Sequence, residues 1–321
     1  MDRSSVPAAL APRPLGQTGL HVSPLALGCA PLGNIPQAFP YEVPEERALA
    51  VIRATFQSPI TFLDTGASYG DGESERRIGR VLRELGGVPD GYLVATKADR
   101  DMQTGDFSGE QIERSLDRSL RLLGMDRFPL LYLHDPEHTT FESVMAPGGP
   151  MAVLQRYKQQ GIIGHLGVAG GPIDMLIQYV ETGLFEAVIT HNRFTLLNRE
   201  AVPLLDRAAE LGVAVVNAAP YGGGMLSKGP SVQQKYAYGS RDDRIRQAAE
   251  AMEAACRRYG VPLAAAALQF SMRSELIDST VVGVSSPPRI DQTLELAAVA
   301  IPDELWSELE QATPDRALWL D

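Results

Sequence analysis

Short apolar runs alternate along the chain with segments whose apolar residues recur every three or four positions. The runs are typical of buried strands, and the longer period is typical of amphipathic helices. The predicted strands cover residues 25–27, 60–64, 92–97, 129–134, 162–168, 185–189, 213–216 and 279–282. The predicted helices cover residues 44–56, 108–123, 151–160, 173–180, 199–211, 242–259 and 262–272, with another beginning at residue 74. Eight strands separated by helices predict an α/β fold, a closed (β/α)8 TIM barrel.

The ends of the chain add two features to this pattern. Residues 14–23 have turn glycines at Gly16 and Gly19 between apolar positions, which predicts a β-hairpin before the first barrel strand. Residues 1–12 are rich in Pro and Ala and are expected to be a disordered leader. Because no Pro/Ser-rich linker interrupts the remainder, residues 13–321 are expected to form a single barrel domain.

Composition excludes several classes of function. The net charge is −11, with 40 acidic against 29 basic residues and no cluster of Lys and Arg, which argues against nucleic acid or an anionic membrane as partner. No apolar run approaches the length of about 18 residues that a membrane span needs. Two cysteines cannot form a disulfide framework, and the histidines lack the spacing of a metal site. A cytoplasmic protein acting on a small molecule, without a metal, is expected.

Four residues with complementary chemistry end the apolar runs or follow them directly. Asp64, Lys97 and His134 end three successive predicted strands, and Tyr69 lies in the turn after the first of these. The carboxyl ends of barrel strands share one rim, so the four side chains are expected to meet there. Each alone has a simpler explanation, such as a helix cap, a solvated lysine or a partly buried histidine.

Together the four residues form a proton-transfer set. A tyrosine has an ordinary pKa near 10, and a neighbouring ammonium stabilises the phenolate and lowers that value. A carboxylate keeps the lysine charged and oriented, and an imidazole can hold the reacting oxygen of an alcohol or carbonyl. Because the set contains no activated nucleophile, a partner that carries hydride is expected to complete the reaction.

These residues carry a resemblance to a known family. Residues 62–75 (FLDTGASYGDGESE), the lysine ending the third strand and the Leu-His pair ending the fourth resemble the aldo-keto reductase family. Residues 14–28 resemble its opening hairpin, and the similarity continues to about residue 312. The resemblance implies a nicotinamide-dependent barrel enzyme in which Tyr69 is the general acid or base and Lys97 lowers its pKa. It also implies that Asp64 pairs with Lys97 and that His134, with Tyr69, binds the substrate.

The expected cofactor contacts also follow from the resemblance. They are Asp64, Ala169, Asn192, Ser285, Ser286 and Arg289. A G-x-G-x-x-G fingerprint after the first strand is missing, so a Rossmann site is not expected. The two serines can donate to phosphate, and Arg289 matches a position that grips a 2′-phosphate. The family's usual lysine and asparagine nearby are replaced by Gly283 and Thr293, so NADP is expected and NAD is the alternative.

Further segments resemble one branch of the family. Residues 188–199 and 216–224 are similar to the branch that contains aldose 1-dehydrogenases acting on L-fucose-type sugars and pyridoxal dehydrogenases. The expected reaction is oxidation of an aldose at C1 to a lactone. One alternative is an NADPH-dependent aldehyde or ketone reductase. Another is a nucleotide-sensing binding subunit, against which the intact set of four residues argues. The Gly-rich residues 222–241 are expected to form a lid.

Overall fold

Eight parallel strands close into a barrel in chain order in the computed structural model, which describes residues 10–36, 41–237, 239 and 241–320. The barrel strands are β3 (Leu25–Gly28), β4 (Phe62–Asp64), β5 (Leu93–Ala98), β6 (Phe128–His134), β7 (Ile163–Gly170), β8 (Ala187–His191), β9 (Ala214–Ala218) and β10 (Ser279–Gly283). β10 pairs with both β9 and β3, which closes the sheet. The predicted (β/α)8 barrel is confirmed.

The predicted amino-terminal hairpin is also present, as β1 (Arg13–Pro14) and β2 (His21–Val22). Leu15 and Val22 are fully buried against side chains of the barrel interior. The guanidinium of Arg13 donates to the backbone carbonyls of Ile277 and Asp278, just before β10 begins. The hairpin therefore closes the amino-terminal end of the barrel, and the carboxyl ends of the strands remain the accessible end.

The described residues form twelve α-helices. They are α1 (Glu45–Thr55), α2 (Glu73–Leu85), α3 (Gly109–Leu123), α4 (Phe141–Met145), α5 (Pro150–Gln159), α6 (Ile173–Val180), α7 (Val202–Leu211), α8 (Met225–Lys228), α9 (Asp243–Arg258), α10 (Leu263–Met272), α11 (Pro288–Ala298) and α12 (Asp303–Gln311). α3 shows how the sequence sets its limits. The hydroxyl of Ser108 accepts from the N–H of Gln111 at the start, and Gly124 adopts the left-handed conformation at the end.

Several boundaries differ from those that the sequence pattern predicts. α7 begins at Val202 and not at residue 199, because an earlier start would place Pro203 beyond the first turn, where its missing N–H breaks a helical hydrogen bond. The short helices α4 and α8 were not predicted. α8 lies in the segment expected to form a lid, and its Met225 and Leu226 are fully buried.

The leader prediction falls only partly on described residues. Residues 1–9 lie outside them, and Leu10 is buried, with 4% of its surface exposed, in the main hydrophobic core. The boundaries of the leader and of the single domain stay predictions.

Alternation along the barrel strands sets which residues reach the rim. The barrel interior is filled by apolar side chains, among them Phe62, Ala95, Tyr132, Ile189 and Val216. Because successive strand residues point to opposite faces, the residues two positions later also face inward, at the carboxyl end. They are Asp64, Lys97, His134, His191 and Ala218. The barrel core therefore sets the direction of three of the four predicted catalytic side chains.

A buried carboxyl group joins the helical layer to the catalytic strand. Glu75 on α2 has none of its surface exposed, and its Oε1 accepts from the hydroxyl of Thr96 on β5 at 2.5 Å. Burial raises the pKa of Glu75 to about 7, although hydrogen bonds from Thr96 and Ser119 oppose this. Glu75 is thus a neutral acid in the folded protein below about pH 7.

We expect Glu75→Gln to stabilise the protein at alkaline pH. A raised folded-state pKa favours folding below the ordinary value of 4.5, and this contribution is lost as the pH rises through about 7. Glutamine keeps the acceptor for Thr96 without the buried charge. Urea unfolding should give nearly equal free energies near pH 4 and a variant more stable by roughly 3 kcal/mol at pH 8. The exposed Glu110→Gln serves as control, and a pH-independent difference for Glu75→Gln would contradict the assignment.

Candidate active site

The ammonium of Lys97 lies at the centre of the rim, and it has three hydrogen-bond acceptors. Its Nζ is 2.7 Å from Asp64 Oδ2, 2.7 Å from the carbonyl of Thr65 and 3.1 Å from the phenol oxygen of Tyr69. An ammonium has three protons, so each acceptor takes one. Lys97 and Asp64 are 2% and 4% exposed. The structure thus brings together three of the four side chains that the sequence predicted to meet.

Close packing of backbone holds the loop that carries Tyr69. A Cβ added at Gly33, in the 3₁₀ turn Ala30–Gly33 after β3, would lie 2.6 Å from the carbonyl oxygen of Tyr69. A Cβ at Gly70 would lie 2.0 Å from the carbonyl oxygen of Gly33. Because real contacts of a Cβ are longer, only glycine at both positions allows the two segments to approach this closely.

Burial and charge set the protonation of this pair. Burial lowers the pKa of Lys97, but Asp64 and Tyr69 raise it by more, so its pKa lies above the ordinary value and the amine stays charged. Burial also raises the pKa of Tyr69 above its ordinary value, and the opposing effect of Lys97 is smaller. The sequence-based expectation of a lowered phenol pKa is therefore wrong in its net direction, although Lys97 acts with the expected sign. Tyr69 is a protonated phenol at neutral pH.

His134 completes the set of four and brings two carboxylates with it. Its ring is edge-on to that of Tyr69, with 5.8 Å between the ring centroids. Its Nδ1 is 2.6 Å from Asp99 Oδ1, and its Nε2 is 3.5 Å from Asp135 Oδ1. Asp99 is 3% exposed, and its other oxygen accepts from the N–H of Ser68 at 2.8 Å.

Asp99 was not predicted from the sequence. The pattern held a usable signal, because Asp99 follows Lys97 by two positions at the end of an apolar run, the spacing at which side chains share a face. Burial raises the pKa of Asp99, but the charge of His134 and hydrogen bonds lower it by more, so its pKa lies below the ordinary value. Burial lowers the pKa of His134, but Asp99 and Asp135 raise it by more, and its pKa lies above the ordinary value.

His191 is the second histidine on the rim. It ends β8 and belongs to the inward-facing set, and burial, followed by the charge of Arg193, lowers its pKa to about 4. The neighbouring Asn192, predicted to contact the cofactor, is left-handed with φ 60° and 2% exposed. Its carbonyl accepts from the hydroxyl of Tyr236 at 2.5 Å. A neutral imidazole, in addition to the predicted residues, therefore faces the barrel mouth.

The predicted phosphate-binding residues lie between β10 and α11. Ser285 and Ser286 are half-buried, and Arg289 is exposed in the first turn of α11. The hydroxyl of Tyr41 is hydrogen-bonded to Ser285, and the charge of Arg289 acts on both Tyr41 and Tyr221. Loops after β3, β9 and β10 thus meet around a guanidinium and hydroxyl groups, a donor set that fits a phosphate ester. Ala169 is buried near the end of β7.

A cysteine nucleophile or a metal centre would have requirements of its own, which can be compared with the structure. The thiol of Cys29 is fully buried, and burial raises its pKa far above the range in which it would be a nucleophile. Within the described residues, no three His, Cys, Asp or Glu side chains group as metal ligands. In the same part of the chain, no helix combines the length and apolarity that crossing a membrane would need.

Comparison with known proteins agrees with this chemistry. Residues 24–314 match the Aldo/keto reductase family. The chain is 32% identical over 335 residues to D-threo-aldose 1-dehydrogenase of Pseudomonas sp., covering 96% of this chain and 98% of that protein. It is 30% identical over 305 residues to L-galactose dehydrogenase of Arabidopsis thaliana, covering 93% and 92%.

A third relative and a solved structure extend the comparison. Pyridoxal 4-dehydrogenase of Microbacterium luteolum is 29% identical over 337 residues, covering 92% of this chain and 96% of that protein. The holo form of aldo-keto reductase AKR11C1 from Bacillus halodurans has the same fold, with a TM-score of 0.78 at 23% identity over 95% of this chain and 97% of that one. The chain therefore belongs to the aldo/keto reductase family, and it is an oxidoreductase that uses a nicotinamide cofactor.

Proposed function

We propose that this protein oxidises a free aldose at its anomeric carbon to a lactone, with NADP as its preferred cofactor. The observation that carries the proposal is that the residues able to transfer a proton lie beside a carboxylate, that of Asp135, which could bind a substrate hydroxyl. Lys97, Tyr69 and His134 supply acid–base chemistry, and Asp135 Oδ1 lies 3.5 Å from the Nε2 of His134. The relatives named for aldose and L-galactose oxidation support the same substrate class.

Each residue of the set has a distinct task in the reaction. A nicotinamide cofactor, when bound, would supply the acceptor for the hydride that leaves C1 in the oxidation. Tyr69 accepts the proton of the C1 hydroxyl as its phenolate, which the ammonium of Lys97 stabilises at 3.1 Å. Asp64 holds that ammonium in place at 2.7 Å. His134 donates to the reacting oxygen and orients it.

Asp135 favours a substrate with several hydroxyl groups. Its side chain is 30% exposed, next to the imidazole that binds the reacting oxygen. A hydroxyl on the carbon beside C1 can donate to this carboxylate. An apolar aldehyde would displace water from the carboxylate without supplying a hydrogen bond in its place. The neutral imidazole of His191 adds a second polar group to the same wall.

NADP is the expected form of the cofactor because of Arg289. The 2′-phosphate that distinguishes NADP from NAD needs a planar cation and hydroxyl donors. Arg289 supplies the cation, while Ser285 and Ser286 lie half-buried before α11. Asp64, Ala169 and Asn192 stay predicted contacts of the cofactor. A cytoplasmic location and the absence of a nucleic-acid partner also stay predictions.

One observation favours the reverse reaction as a second candidate. Because the pKa of Tyr69 is raised by burial, its phenol is protonated at neutral pH and is ready to donate to a carbonyl oxygen. An NADPH-dependent reductase of aldehydes or ketones would use this form directly. Oxidation instead needs the phenolate, so its rate should increase toward alkaline pH.

The direct test follows reduced nicotinamide by absorbance, with NAD and NADP offered separately. We expect absorbance to grow with L-fucose or a related aldose and NADP, and to grow faster at pH 9–10 than at pH 7, since the pKa of Tyr69 is raised. Simple aldehydes with NADPH and pyridoxal with NAD complete the panel. If no sugar increased the absorbance and aldehydes caused rapid loss of NADPH, the reductase candidate would be the correct one.

Tyr69→Phe should abolish turnover while leaving cofactor binding intact. The variant removes only the hydroxyl that transfers the proton, so we expect kcat to fall by roughly 10²–10⁴-fold, with the Kd of NADP(H) by fluorescence nearly unchanged. Tyr157→Phe is a matched control, because it removes a hydroxyl bonded to Asp117 on the outer helices. Full activity of Tyr69→Phe would refute its role as the acid or base.

Asp135→Asn should separate sugars from simple aldehydes. Asparagine tolerates the left-handed backbone at this position, where φ is 46°, so the fold should survive. Loss of the charged acceptor should raise KM for an aldose by roughly 10-fold and leave KM for a simple aldehyde within about 2-fold. Steady-state kinetics on both substrates measures the contrast. An equal change for both would mean that Asp135 does not recognise hydroxyl groups.

A further inference from the structure

We propose that Asp99 is a positioning residue that fixes His134 as the Nδ1–H form and directs its Nε2 to the substrate. The inference rests on the proposed function only in requiring that the reaction use His134. Asp99 is not among the four residues predicted from the sequence, and it contacts both His134 and the loop that carries Tyr69.

The carboxylate of Asp99 is held on both sides. Oδ1 lies 2.6 Å from Nδ1 of His134, and Oδ2 accepts from the backbone N–H of Ser68 at 2.8 Å. The backbone of Asp99 is also fixed, because its N–H donates to Ser115 Oγ at 3.1 Å and its carbonyl accepts from Gln111 Nε2 at 3.3 Å. With 3% of its surface exposed, this side chain is also enclosed by its neighbours.

These contacts connect the reactive groups to one another. Ser68 immediately precedes Tyr69, so one oxygen of Asp99 holds the loop that presents the phenol. Lys97 precedes Asp99 by two residues, at the end of β5. The other oxygen holds His134 at the end of β6. A single carboxylate, two residues after the lysine, therefore links the loop that carries the phenol to the imidazole.

Chemistry then determines the tautomer of the imidazole. An ionised carboxylate only accepts hydrogen bonds, so Nδ1 of His134 must carry the proton that is shared with Asp99. In the neutral ring Nε2 is then an acceptor, and in the charged ring it is a donor. Fixing Nδ1 in this way leaves Nε2 as the only ring nitrogen that can serve the substrate.

The surrounding groups favour the charged ring. Burial and the ammonium of Lys97 on β5 lower the pKa of His134, while Asp99 and Asp135 raise it, and the net direction is upward. Tyr69 presents a neutral phenol from the loop after β4. From β8 the imidazole of His191 is neutral, because burial and Arg193 lower its pKa to about 4. His134 therefore stays protonated to a higher pH than an ordinary histidine does. In the protonated form its Nε2–H can donate to a carbonyl oxygen.

Asp99→Asn tests the inference with little change in shape. The amide can still accept from Ser68, but the negative charge beside Nδ1 is lost. We expect the titration midpoint of His134, followed by NMR of its ring, to move to lower pH by at least about one unit. The alkaline limb of the pH profile for carbonyl reduction, where His134 loses its proton, should move in the same direction, and kcat should fall roughly 10- to 100-fold with a smaller change in KM.

A double-mutant cycle distinguishes positioning from a general loss of structure. Because Asp99 acts through His134, Asp99→Asn should slow the reaction little further in a His134→Gln background. Asp101→Asn is the matched control, since Asp101 is a half-buried loop residue that accepts from the N–H groups of Gln103 and Thr104 and does not contact His134 in the described residues. Independent, multiplicative losses in the double variant would overturn the inference.

A measurement on the unaltered protein covers the case in which Asp99→Asn fails to fold. Ring ¹⁵N shifts report which nitrogen of His134 carries the proton, with His134→Gln used to assign the signal. The inference requires protonated Nδ1 in the neutral ring, and a proton on Nε2 would overturn it. Because this readout needs no substrate, it stands or falls separately from the aldose assignment.

Discussion

The buried ammonium of Lys97 is the group on which the catalytic rim depends. Removing a cation from water is costly unless its hydrogen bonds are replaced in a fixed geometry. Here Asp64, Thr65 and Tyr69 replace all three of them, from β4 and the loop that follows it. The phenol is thus part of the solvation of the lysine. Its position is determined by the need to keep that charge paired as much as by its own packing.

The same arrangement explains why the two acid–base groups have pKa values shifted upward. Burial opposes the phenolate of Tyr69, and two carboxylates favour the cation of His134. Both groups therefore hold their protons at neutral pH, and the unliganded site is set for donation to an oxygen. A lower phenol pKa in the working enzyme would have to come from changes that accompany ligand binding, since Lys97 already makes all three of its hydrogen bonds.

Most of the fold and the centre of the site could be predicted because they follow from short-range patterns. Period two along strands and period 3.6 along helices gave the eight strands and most helices, and the strand ends gave Asp64, Lys97 and His134. The net effect of burial on Tyr69 could not be predicted, because it depends on packing from distant segments. Asp99 was not assigned to His134, since β5 and β6 meet only in the folded barrel. The pattern places the start of α7 three residues too early, because apolar spacing does not reflect the need of Pro203 to lie in the first turn.

Three residues with left-handed backbone affect how the loops around the site can vary during evolution. Asp135, Asn192 and Ala219 directly follow β6, β8 and β9, with φ of 46°, 60° and 55°. Each departure from ordinary geometry costs of order 1 kcal/mol, and the closed sheet supplies the stability that maintains it. At each of these residues the chain turns sharply away from its strand, so the loop that follows is separated from the strands that orient the reactive groups. Those segments can therefore vary in sequence and length, and alter which molecule is admitted, while the chemistry stays the same.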